Sequence, residues 1–120
     1  PLSDYFDSLD TVYAMDIELV LPGHRSLFAD YRGRIDELKE HHFQRLLEVL
    51  AILRECGPAN AFKVAAGMTW DLDAEHWDDF PLMQKWFATG EALAHIQYLE
   101  AEGELEKKII DGVLTFNISL

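Results

Sequence analysis

Between Ser3 and Met15 the apolar residues Tyr5, Phe6, Leu9, Val12 and Tyr13 recur every three or four positions. That spacing predicts a short amphipathic helix over residues 3–15. Ser3 is the expected N-cap, and Asp4 and Asp7 place negative charge where the helix dipole favours it. The period then changes. Ile17, Leu19, Val20 and Leu21 make a nearly continuous apolar run, read as a strand over 16–21 and ended by the turn pair Pro22-Gly23. No partner strand follows nearby. A lone strand leaves its backbone groups unpaired, so its ladder is expected elsewhere.

Helical spacing returns from Arg32 to Cys56, where Ile35, Leu38, His42, Leu46, Val49 and Leu53 form one stripe. Phe43, Leu47 and Leu50 are expected to widen it. Gly57 suits the left-handed position after a helix, and Pro58 prevents continuation. Asn60 is the expected cap of a short helix over 61–67, with Ala61, Phe62, Val64, Ala65 and Ala66 buried. An acidic, tryptophan-bearing connection covers 68–80. Pro81 opens a helix to about Glu102, with Leu82, Trp86, Leu93, Ile96 and Leu99 as its core stripe. Gly90 interrupts that helix at a cost of ~1 kcal/mol relative to alanine, and Gly103 ends it. Asp111-Gly112 between two β-rich runs, 105–109 and 113–118, signals a hairpin. The fold class is mainly α with a small C-terminal β-hairpin. Long helix, short helix, link, helix and hairpin follow one another in winged-helix order.

Composition narrows the partners. The 120 residues carry 10 Lys plus Arg against 22 Asp plus Glu, a formal charge of −12. Such a surface repels nucleic acid and anionic membranes. No apolar run reaches the ~18 residues needed to span a bilayer. The long helix is the neutral exception: Arg32, Arg34, Lys39, Arg45 and Arg54 balance Asp36, Glu37, Glu40, Glu48 and Glu55. It is therefore the expected docking face. Cys56 is the single cysteine, which excludes an internal disulfide and a thiolate zinc site and fits a reducing, cytoplasmic setting. Its expected role is that of a small buried hydrophobe. The first residue is Pro1, with no signal peptide after it. A piece of a longer protein is the expectation from that start.

Candidate chemistry is sparse. Leu21-Pro22-Gly23-His24 ends the apolar run, and a tight turn there would present the imidazole to a metal. A surface-loop histidine is the alternative. His42, on the stripe, reads as partly buried and hydrogen-bonded; His41 points elsewhere; His95 reads as structural. Arg45 pairs with Glu48, Glu40 or Asp36, or anchors an interface. Asp71, Asp73 and Glu75 have calcium-loop spacing, but His76 and Leu82 occupy the positions where such a loop needs glycine and glutamate. A solvated acidic loop is expected instead. Trp70, Trp77 and Trp86 read as core or interface anchors.

The stretch YFDSLDTVYAMDIELVLPGH, Tyr5 to His24, resembles the end of a metallo-β-lactamase-superfamily hydrolase domain. In that family a helix leads into a strand ending in Pro-Gly-His. The resemblance continues through Arg34-Ile35, His41, Arg45, Gly57-Pro58 and Ala61-Phe62. It extends over Glu91-Ala92-Leu93-Ala94-His95, Tyr98-Leu99 and Glu102-Gly103, as in members with a winged-helix-like extension. It implies a remnant of an αββα catalytic domain over 1–31 and a winged-helix-like domain over 32–120. It further implies His24 as a metal ligand and zinc or another divalent metal pair in the parent protein. The family's His-x-His-x-Asp-His motif is absent, so the fragment alone should be inactive. The implied partners are the missing N-terminal catalytic domain and a small ester, thioester or phosphodiester substrate, with a homo-oligomer open. Two other functions compete: a winged-helix DNA-binding regulator and a stand-alone protein-interaction module. The segment 82–102 carries Lys85 against Glu91, Glu100 and Glu102, which speaks against DNA.

Overall fold

Helical apolar spacing becomes four α-helices among the described residues, which are 1–16, 30–71 and 76–119 of the computed structural model. The expected strand over 16–21 lies almost wholly outside them. The first helix, α1, runs Leu2–Tyr13. Its start corrects the expected cap. The Pro1 carbonyl accepts the first helical bond from the Tyr5 amide at 3.2 Å, so Ser3 already lies within the helix.

Helix α2 spans Tyr31–Cys56. It has a cap the spacing did not reveal: the Asp30 carboxylate accepts from the Gly33 amide at 3.1 Å. A Cβ at Gly33 would collide with that carboxylate, which explains a glycine in the first turn. Ile35, Leu46, Val49 and Leu53 are buried as expected. Phe43 and Leu47 are exposed instead of widening the stripe. At about 100° per residue they project about 120° and 160° around the helix from fully buried Val49, too far to share its face. Gly57 takes a φ of +75° and its amide closes on the Leu53 carbonyl at 2.9 Å. Cys56 keeps the helical spacing of the 46/49/53 stripe but, as the last residue of α2, is exposed, not buried.

Just beyond the turn, Ala59 exchanges two backbone hydrogen bonds with Phe116, at 3.1 and 2.8 Å. Helix α3, Ala61–Gly67, follows at once. Asn60 caps it as expected, its side chain accepting from the Lys63 amide at 2.8 Å. Replacing Asn60 with alanine should lower unfolding free energy by about 1 kcal/mol in urea titrations. An unchanged midpoint would show the cap to be redundant. Val64 and Ala65 are buried, but Phe62 is half exposed and meets the Trp77 ring edge-on at 5.4 Å.

A single 3-10 turn, Trp77–Asp79, precedes α4, Leu82–Ala101. The buried residues of α4 are Ala88, Ala92, His95, Ile96 and Leu99. Leu82 and Trp86, expected in the core, are 80% and 66% exposed. The physical reason is that α3 packs against α4, and small side chains permit that approach. Ala88 and Ala92 form the inner face, and the bulky residues point away.

Strands β1, Leu105–Ile110, and β2, Val113–Ile118, pair antiparallel from Leu105↔Ile118 to Ile110↔Val113. Asp111 and Gly112 both have positive φ, 52° and 79°, as a two-residue hairpin turn requires. Leu105, Thr115 and Phe116 are buried, while Ile109, Ile110, Val113 and Leu114 at the tip are exposed. Helix α4 also packs on β1. The chain divides into two compact units, Pro1–Gln44 and Arg45–Leu120, a division that falls inside α2. No helix among the described residues is long and apolar enough to cross a membrane.

Candidate functional site

His24 lies outside the described residues, as do Asp73 and Glu75 of the acidic link. Among the described residues, no group of three or more His, Cys, Asp or Glu side chains could hold a metal ion. They do not fit a metal pair by themselves.

In the first unit the aromatic residues of α1 gather around His42. The Tyr5 and Phe6 rings meet its imidazole edge-on, with centroids 5.4 and 5.9 Å away. His41 touches His42 at 5.3 Å and is otherwise exposed. His42 is half-buried, as the stripe reading expected. The last carbonyls of α1 and the residue after it are also satisfied. Arg32 donates to the Tyr13 carbonyl at 3.0 Å and the Met15 carbonyl at 3.2 Å, and the Tyr31 hydroxyl donates to Met15. A cation suits a helix C-terminus. Lys39 pairs with Asp10, and the hydrogen bond to that carboxylate holds its ammonium above the usual lysine range.

In the second unit the densest polar node centres on Arg45. It pairs with Glu48 at 3.1 Å, donates to the Thr69 carbonyl, and lies 4.6 Å over the Trp70 ring. Glu48 also accepts from the Thr69 amide at 2.9 Å, and Trp70 Nε1 donates to the Ala65 carbonyl at 2.8 Å. Arg45 is thus more enclosed than a surface pair. Together these bonds pin the chain leaving α3 onto α2, which is a structural task. His95 is buried, with Nδ1 placed 2.8 Å from the Glu91 carbonyl to donate to it. That geometry agrees with a structural histidine.

The feature that sequence reasoning misassigned is the outer face of α4. Leu82, Met83, Trp86 and Phe87 are all exposed there. A shallow cavity of about 490 Å³ is lined, among the described residues, by Trp86, Phe87, Thr89, Gly90, Glu91 and Leu93. The signal was present: bulky residues at 82, 83, 86 and 87 share one side, and alanines at 88 and 92 the other.

Residues 77–119 match the model of the metallo-beta-lactamase-like C-terminal domain family. Two solved structures resemble the whole chain. One is a beta-lactamase domain protein from Burkholderia ambifaria, 35% identical with a TM-score of 0.86, matched over 99% of this chain and 34% of its own. The other is a metallo-beta-lactamase family protein from Thermus thermophilus, 30% identical with a TM-score of 0.75, over 98% and 33% respectively. The search of curated proteins gave no match. The chain therefore carries the C-terminal domain of the metallo-β-lactamase-like proteins. It spans about a third of the length of each of the two solved relatives.

Proposed function

We propose that this chain is the C-terminal part of a metal-dependent hydrolase of the metallo-β-lactamase superfamily, its domains dividing at 31/32. Residues 32–120 form a winged-helix-like domain that packs beside a dinuclear metal cleft and shapes substrate access. The observation that carries the reading is the resemblance to the Burkholderia ambifaria protein, which reaches 99% of this chain yet only 34% of that one. The winged-helix assignment is supported by the order α2, α3, α4, β1, β2. It is also supported by the Ala59–Phe116 bridge, which adds a third strand position between the first two helices of that order.

His24, after Pro22-Gly23, would contribute one ligand to the second metal, and the catalytic domain would supply the remaining ligands. Zinc is the favoured ion because imidazole suits it. When bound, such a metal pair would supply Lewis-acid chemistry for the hydrolysis of an ester, thioester or phosphodiester. The fragment alone lacks those ligands and is inactive. The acidic surface supports a small-molecule enzyme rather than a DNA-binding regulator.

The test is the intact protein. Its reading frame should encode His-x-His-x-Asp-His upstream of Pro1, and elemental analysis should find two divalent ions per chain, as a dinuclear site requires. His24→Ala should lower the occupancy of one ion and the hydrolytic activity with it. A frame without the motif would sink the function; unchanged metal content in the variant would sink the role of His24.

A further inference from the structure

We infer that the outer face of α4 is the surface on which a metallo-β-lactamase-fold catalytic domain of the same polypeptide docks; this rests on the function proposed above. Trp86 and Gly90 stand two residues from Ala88 and Ala92, about 200° around the helix, so α4 is apolar on two opposite sides. A helix ordinarily buries one apolar stripe, so a second apolar side calls for a second surface to cover it. Among the described residues, the side bearing Ala88, Ala92, Ile96 and Leu99 is the covered one. The other presents Leu82, Met83, Trp86 and Phe87 to solvent. Trp, Phe and Met are the residue types that concentrate in the cores of protein interfaces.

Gly90 adds an independent point. Among the described residues no atom lies within 4 Å of where its Cβ would be, so nothing among them requires a glycine there. A mid-helix glycine costs about 1 kcal/mol relative to alanine. Beside it lies the cavity lined by Trp86, Phe87 and Leu93, of a size to take bulky apolar side chains. An open backbone flanked by large apolar residues suits a neighbour that comes close to the helix.

The choice of occupant follows from length and charge. Two proteins that match nearly all of this chain are about three times as long, so two-thirds of each lies beyond the match. A domain on the same polypeptide has a high effective concentration, on the order of millimolar for a short linker, and needs no electrostatic steering. A second copy would bring −12 toward −12. The patch at 82, 83, 86, 87 and 90 has no charged residue, so it offers nothing to offset that repulsion.

The experiment measures maleimide labelling of the intact two-domain protein in a Cys56→Ser background, because Cys56 is exposed. Met83→Cys reports on the face, and Ile109→Cys, at a position 70% exposed, is the control. The Met83→Cys thiol should react at least about tenfold more slowly than the Ile109→Cys thiol, with equal rates once urea unfolds the protein. Adding Leu82→Asp to the Met83→Cys chain should raise its rate to that of the control. Equal rates in the folded protein overturn the docking face. Protection that fades on dilution assigns the face to a second copy and overturns the occupant. The upstream motif and the metal content are read first: their absence sinks the function reading, whereas equal rates with both present sink only the docking.

Discussion

Ile96→Ala should lower the unfolding free energy by about 2–4 kcal/mol and the melting temperature by roughly 10 °C or more. Ile96 has no exposed surface and sits on the inner face of α4. Truncation removes three carbons' worth of transfer free energy and leaves a cavity whose walls relax only in part. Alanine is the better helix former, by up to ~0.7 kcal/mol, which trims the upper end of the range. Urea titration reads the loss as a lower midpoint at unchanged slope. Ile109→Ala makes the same chemical change at an exposed position and should stay within about 0.5 kcal/mol. Equal shifts for the two variants would show that Ile96 is not in the core.

The second large effect comes from adding atoms. Ala92→Leu should destabilise by about 1–3 kcal/mol, although leucine and alanine are both strong helix formers. Ala92 is fully buried on the α4 face that contains Ala88, in the helix that packs on α3 with its buried Val64 and Ala65. Three further carbons there force off-rotamer side chains or a wider helix separation. Ala51→Leu, at an exposed position of α2, should change stability little and serves as the comparison. Equal effects at 51 and 92 would mean that helix propensity, not close approach, sets the cost.

The two variants mark where the sequence was legible. Ile96 was readable as core because a large apolar residue at helical spacing is costly to leave in water. Ala92 was not, because alanine serves a surface, a core or a close helix contact equally well. The spacing of Leu82, Trp86 and Leu93 followed one real side of α4, but the outer one. Periodicity shows that residues share a face; it does not show which of two apolar faces meets the rest of the chain. Of the candidate site, Pro22-Gly23-His24 was legible only as a motif, and it lies outside the described residues. The ligands that would complete a metal site could not be legible, since this stretch of sequence does not contain them.

The sequence by itself determined the local elements. Asn60 capping α3, Gly57 with positive φ after α2, and Asp111-Gly112 turning the hairpin all act within a few residues. Their backbone demands are met by near neighbours, so spacing and residue type suffice. Only the tertiary structure decided what depends on remote partners. It turned Ala88 and Ala92 inward and left Trp86 in solvent. It closed Arg45 into a node with Glu48, Thr69 and Trp70, and it paired Ala59 with Phe116, 57 positions away in the chain. Burial is a property of which surfaces meet, and one sequence pattern is compatible with several such meetings.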